Sequence, residues 1–353
     1  MGRARSVQVK TMPPAAAAAA GAVCISSSAV LMRLAATSAS ITALGRCAFA
    51  LPVLGALALL ERRRGAPPMP SRSRWLARLA GVFLAADLIM WSHAITAIGA
   101  GLGTVVGNLE VLIISLLAWL VLGERPRRSL VLASPVMLAG LVLVGGLADV
   151  GGSRAYGTDP ALGVVYGVGV AVLYAIYILM LRQATSSAAA GTAVAPAVAP
   201  GAGTAVAPGA RAAVAAPLFE ATAGAVAGSV VLGFALRDFH LGPAWPTLGW
   251  LALLALTSQV IGWLLITVSM PRLAAGMIGA LLLIQPAGSV ALSYVILGER
   301  PSALQLAGVV LVLTGVLVAV SARTPEAAYS RRRTRIIRQA SGASTGRSLS
   351  KSP

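Results

Sequence analysis

The sequence predicts an all-α polytopic membrane protein of ten transmembrane helices, built as two inverted five-helix repeats. Three observations predict it. The 353 residues are 58% hydrophobic and only 11% charged, too few charges to coat a water-soluble surface. The apolar residues fall into ten runs, each close to the roughly 20 residues that a helix needs to cross the hydrocarbon core. Residues 99–126 return as residues 274–301 at a constant offset of 175 positions, and each copy ends in LGERP. Five spans per unit is an odd number, so the second unit enters the membrane from the opposite side.

The runs lie near 14–33, 38–60, 76–98, 101–122, 129–147, 161–182, 217–237, 248–269, 274–297 and 302–321. Residues 1–13 form a cytoplasmic N-terminus. The basic start (Arg3, Arg5, Lys10) before an alanine-rich run has the form of a signal peptide, but the spans that follow make it a retained signal-anchor helix. Spans 1–5 (14–147) are the first unit and spans 6–10 (161–321) the second. A Pro- and Gly-broken stretch at 184–217, in which GTAVAP occurs twice, is expected to be a flexible linker within the second unit. Residues 322–353 form a basic cytoplasmic tail with Arg331, Arg332, Arg333 and Arg335, suited to anionic lipid.

The net charge of +18 reports topology, not nucleic-acid binding, because the arginines fall between apolar runs and leave no soluble basic groove. With the N-terminus inside, 23 of the 28 basic residues lie on the inner side; the other five are Arg33, Arg46, Arg154, Arg237 and Arg300. That asymmetry places both termini in the cytoplasm. The two LGERP turns then lie on opposite faces, and Glu124 and Glu299 read as turn and helix-start residues rather than solute ligands. Two cysteines (Cys24, Cys47) and two histidines (His93, His240) make neither a disulfide framework nor a metal site. No P-loop is present, and no cofactor is expected.

Polar groups deep in a membrane are costly and therefore informative. At 1.5 Å per residue, Asp87, Gln259 and Gln285 lie roughly 16 Å into their spans and Glu110 roughly 14 Å. All four are near the midplane, where inverted-repeat transporters hold their solutes. Glu110 and Gln285 are repeat partners. Pro286 frees a carbonyl and is expected to kink span 9, whereas Val111 at the equivalent place should leave span 4 straight. Gly103, Gly107 and Glu110 share a face that would admit a neighbouring helix. Asp87 with Trp91, and Gln259 with Trp263, each pair a polar group with a flat ring. Tyr174 and Tyr177 share a face of span 6, and His93 points away from Asp87. Arg46, some 12 Å into span 2, could take an anionic solute or neutralise Asp87. Glu220 sits toward the other membrane face and is not its expected partner. The candidate solute ligands are Asp87, Trp91, Asn108, Glu110, Tyr174, Gln259, Trp263 and Gln285, with Asp87, Glu110 and Arg46 as candidate coupling or charge partners. Structural hydrogen bonding is the competing reading for the acids and amides, and packing for the tryptophans.

Ten spans in two five-helix halves, Arg46 in span 2, LGERP after spans 4 and 9, Gln285-Pro286, and the glycines after each turn (Gly140, Gly315) together resemble the drug/metabolite transporter superfamily. The EamA-domain exporters are the nearest type. The resemblance covers about residues 15–321. It implies a carrier of the bacterial inner membrane, often an exporter, for amino acids, other metabolites or toxic compounds. Val111 replaces a proline usual in that family, and the long linker is not a family feature.

The expected function is therefore secondary transport of a small solute by alternating access, with proton coupling through Asp87 or Glu110 a further expectation. The chain is not expected to be an enzyme. An intramembrane lipid-modifying enzyme is the alternative, though the paired histidines, HExxH or acidic pair it would need are missing from the sequence. A non-transporting scaffold or sensor is the third reading. Expected partners are the solute and membrane lipid but not nucleic acid, with homodimerisation left open.

Overall fold

The structure is a computed structural model that describes residues 12–123, 126, 128–145, 159–190, 215–239, 245–269, 273 and 275–321. Within these residues it is all-helical. Eight helices are long and apolar enough to cross a membrane, and two shorter apolar helices follow the two LGERP sites. In chain order the ten spans are α1 (Pro14–Ser26 and Ser28–Ala35), α2 (Ala39–Arg63), α3 (Ser71–Ile98), α4 (Ala100–Gly107 and Glu110–Leu122), α5 (Arg128–Val144), α6 (Pro160–Ala190), α7 (Ala215–Ala235), α8 (Thr247–Leu254, a π-helical segment Ala255–Gly262, and Trp263–Ser269), α9 (Ala275–Leu282, Ile284–Leu292 and a π-helical segment Ser293–Leu297) and α10 (Ala303–Ser321). These match the ten apolar runs to within a few residues, except that α6 extends by about two turns.

That extension revises the linker. The first linker proline is Pro196, so nothing in Ala184–Ala190 stops a helix. Thr185 instead bonds back to the carbonyls of Leu181 and Arg182, and α6 continues to Ala190. Residues 191–214, the N-terminal segment 1–11, the tail 322–353, and Glu124, Arg125, Arg127 and His240 lie outside the described residues.

The two halves interlock. First-half α1 packs against second-half α8 and α9, while second-half α6 packs against first-half α3 and α4. Glycines permit the approach. A Cβ on Gly21 would meet the Gly262 carbonyl of α8 at 2.8 Å, and one on Gly163 would meet the Ile98 side chain. Helices α3 and α7 cross equally closely through Gly81 and Gly224. Helices α5 and α10 form a pair of their own. Gly140 faces the Gly308 backbone there, and Gly315, the repeat partner of Gly140, faces Met137.

Three spans are broken within the membrane region, α9 where the sequence announces it and α1 and α4 where it does not. In α1, Ser26, Ser27 and Ser28 bond back to the carbonyls of Val23, Cys24 and Ile25 at 2.6–2.7 Å. Such back-bonding competes with the helix ladder, and α1 breaks at Ser27. Helix α9 breaks at Leu283, three residues before Pro286, as the proline predicts. The expectation that α4 stays straight is overturned, because it breaks at Asn108 and Leu109, and Asn108 is the position equivalent to Leu283. At the break Asn108 Nδ2 donates to the Thr104 carbonyl at 2.8 Å. The turn there tightens to i→i+3 bonds, Asn108 N–H to Val105 O and Leu109 N–H to Val106 O.

Span ends are capped by side chains from other elements as well as locally. Ser302 and Gln305 form a reciprocal capping box at the start of α10, and Asp159 accepts from Leu162 N–H at the start of α6. Three further caps cross between halves. Asp238 accepts from Ser40 N–H at the start of α2, Glu61 accepts from Ala215 N–H at the start of α7, and Glu299 accepts from Ala100 and Gly101 N–H at the start of α4.

The Gly140–Gly308 crossing is expected to tolerate no larger residue, since a Cβ on Gly140 would sit 2.7 Å from a backbone oxygen. Gly140→Leu should lower stability by about 1–3 kcal/mol, read as a reduced melting temperature in detergent. Gly107→Ala, with nothing within 4 Å of the new methyl, should leave the melting temperature unchanged or raised.

Candidate functional site

Arg46 lies two turns into α2 among small residues (Ala43, Cys47, Ala50) and is 7% exposed. A guanidinium this deep needs partners that the surrounding apolar side chains do not supply. Its Nε donates to Gln259 Oε1 of α8 at 3.0 Å, and its guanidinium carbon lies 5.7 Å from the centre of the Trp91 ring on α3. Nη1 has no partner. Gln259 falls inside the π-helical segment of α8, a local widening often found at functional sites.

Asp87 stands one helical turn before Trp91 on α3 and is 5% exposed, and its Oδ1 also has no hydrogen-bond partner. Arg46 and Asp87 are within range of each other's charge yet do not close into an ion pair. From α6, the rings of Tyr174 and Tyr177 lie 5.6 Å apart, within electrostatic range of both Arg46 and Asp87. Glu110 opens the second segment of α4, directly after the break, and is within range of Asp87 and Tyr174. Five elements, α2, α3, α4, α6 and α8, thus bring one cation, two carboxyls, an amide and three aromatic rings to one interior region.

The remaining candidates lie at the edge of this region. Asn108 spends its amide on the α4 break. Gln285 is half-buried just after the α9 break and makes no hydrogen bond among the described residues, and Trp263 is half-buried on α8. No described contact joins these three to the Arg46–Asp87 group. The shared face of Gly103, Gly107 and Glu110 is not a close helix contact. A Cβ on Gly103 would make only ordinary contact with Ile95, and Gly107 has open space beside it. The close approach of α4 is in its first turn, at Gly101, against Val290 and Ser293 of α9, where Thr104 and Ser289 share a 3.0 Å hydroxyl contact. His93 is exposed beside Tyr166, away from Asp87, and Glu220 pairs with Arg78 at 2.7 Å rather than with Arg46.

The Arg46–Gln259 bond joins residues 213 positions apart, so the sequence flags both as deep polar residues without pairing them. Tyr177 is legible as sharing a face with Tyr174, but its place beside the charges depends on the packing of α6 onto α3.

A ten-span bundle of two interlocked halves, with polar and aromatic side chains gathered in its interior, defines a polytopic membrane protein. The sequence profile described as the EamA-like transporter family matches residues 12–146 and 161–321. The chain therefore belongs to the EamA-like transporter family, within the drug/metabolite transporter superfamily. Among solved structures, one described only as the crystal structure of a protein aligns with TM-score 0.52 and 18% identity, covering 86% of this chain and 96% of that one. This likeness shows the fold alone. No curated protein matches the chain.

Removing the Gln259 acceptor should leave Arg46 Nε buried and unpaired. Gln259→Leu is expected to cost about 1.5–3 kcal/mol of stability, measured by thermal or denaturant unfolding in detergent. Gln259→Glu keeps an acceptor and should lose much less.

Proposed function

We propose that the protein is a secondary transporter that moves a small solute by alternating access and binds it between Arg46 and Asp87. The observation that carries this reading is that Arg46 and Asp87 are both buried, each with a polar atom that has no hydrogen-bond partner, and are not joined in an ion pair. A purely structural pair would gain by closing, because an unsatisfied buried charge is costly. An open pair suits a solute that presents an anionic group to Arg46 and a cationic or donor group to Asp87. Trp91, Tyr174 and Tyr177 would flank its apolar part. Asn108, Glu110, Trp263 and Gln285 would complete the path beside the α4 and α9 breaks. A zwitterionic or amphipathic metabolite or drug fits this lining, and export is the proposed direction. Proton coupling would run through Asp87 or Glu110. The proposed setting is a bacterial inner membrane with both termini in the cytoplasm, in line with the arginine asymmetry.

Flux in proteoliposomes tests the reading. Wild-type protein should carry a zwitterionic solute across the bilayer, and Arg46→Ala and Asp87→Asn should each cut transport at least about tenfold, as expected for losing a charge-assisted contact. Absence of flux over a panel of amino acids, dyes and antibiotics would return the protein to the scaffold or lipid-enzyme readings. Glu110→Gln should abolish pH-gradient-driven transport while exchange survives. Gradient dependence unchanged in both Glu110→Gln and Asp87→Asn would remove the proton. Reporter fusions test orientation: alkaline phosphatase should be active when fused after Arg237 and inactive when fused after Arg64.

A further inference from the structure

The helix pairs α2/α7 and α4/α9, related by the repeat, are tied together in different ways. Helices α2 and α7 are clasped at both ends. At the arginine-rich end Glu61 of α2 accepts from Ala215 N–H at the start of α7, at 3.0 Å. At the opposite end Asp238, just past α7, accepts from Ser40 N–H at the start of α2, also at 3.0 Å. The donors Ser40 and Ala215 are repeat partners, whereas the acceptors are not: the repeat partner of Glu61 is Leu236, two residues before Asp238.

Helices α4 and α9 meet only toward the end opposite the arginine-rich one. There Gly101 lies against Val290 and Ser293, and Thr104 touches Ser289. Beyond the breaks at Asn108 and Leu283 they take different neighbours: the second segment of α4 packs on α6, and the first segment of α9 on α10 and α1. Glu299, directly after α9 and 3% exposed, closes the packed end. Its Oε1 accepts from Ala100 N–H at 2.7 Å and its Oε2 from Gly101 N–H at 3.1 Å. A carboxylate at a helix start satisfies orphan amides and opposes the helix dipole. Gly99, at φ +99°, makes room for it, since a Cβ there would lie 3.1 Å from the carboxylate.

We infer that Glu299 is a releasable latch. Its carboxylate on the α4 start holds the α4/α9 seam shut at the end opposite the arginine-rich one, and letting go of those two amides opens the solute path at that end. The doubly clasped α2/α7 pair stays fixed as the strut against which α4 and α9 move. The latch rests on the transporter reading for its purpose, but its test does not depend on flux.

Spin labels at Thr96 and Ile296, on the exposed surfaces of α3 and α9 near the seam, report the separation by pulsed electron resonance in full-length protein with Cys24 and Cys47 replaced by alanine. The unmutated latch should give one short distance. In Glu299→Gln the longer-distance population should rise at least about tenfold, the equilibrium change for weakening one charge-assisted hydrogen bond. Glu299→Asp, which keeps the charge but shortens the reach, should shift the same way by less and serves if the glutamine variant does not fold. Thr104→Val removes a neighbouring seam contact and should leave the distribution unchanged. Unshifted distances in folded Gln or Asp variants would overturn the latch, as would an equal shift in Thr104→Val. A shift accompanied by absent wild-type flux would keep the latch and discard the transport reading.

Discussion

Hydrocarbon offers no hydrogen bonds, so every polar group within the span region must find a partner inside the protein. The rest of this structure follows from how that demand is met. Four of the described helix starts are satisfied by carboxylates, and three of these (Glu61, Asp238, Glu299) reach from one half of the chain to the other. The repeats are therefore joined by backbone satisfaction as well as by apolar packing, which has little to distinguish it from lipid contact. Asn108 and Ser26–Ser28 bond back to helix carbonyls where α4 and α1 break, whereas Thr185 does so in a helix that continues; the breaks of α4 and α9 fall at equivalent positions.

In the Arg46–Asp87 region two buried ionisable side chains have this demand met only in part. Gln259 and Trp91 hold the guanidinium in place, while Nη1 and Asp87 Oδ1 stay without partners. The aromatic rings around them give flat apolar walls without adding charge. An arrangement that is held firmly and yet incomplete is what a ligand site requires, because the ligand's own groups then supply the missing bonds.

Much of the fold was legible in the sequence. The ten spans follow from apolar run length, the inverted halves from the 175-residue repeat, and the α9 break from Pro286. The α4 break was not legible, because proline is the recognised signal and α4 has Val111 where α9 has Pro286; the break coincides with the Asn108 bond to Thr104. Depth arithmetic found Arg46, Asp87, Glu110 and Gln259, since polar residues are conspicuous in apolar runs. It did not show which of them meet, because that depends on the crossing of α2 with α8 and the seating of α6 on α3. Gly107 misled for a related reason: a glycine beside a carboxyl reads as a helix contact, but here it borders open space.

The exchange of α1 and α6 between the halves bears on how the protein is made. As the chain emerges, α1 enters the bilayer long before α8 and α9, the helices it packs on, have been synthesised. Its glycine-lined face must wait in lipid or against a provisional neighbour. The first half cannot reach its final packing alone, and the last spans to be inserted complete the environment of the first. The packing of α1 is therefore completed late, and truncation before α8 would leave α1 without its seat.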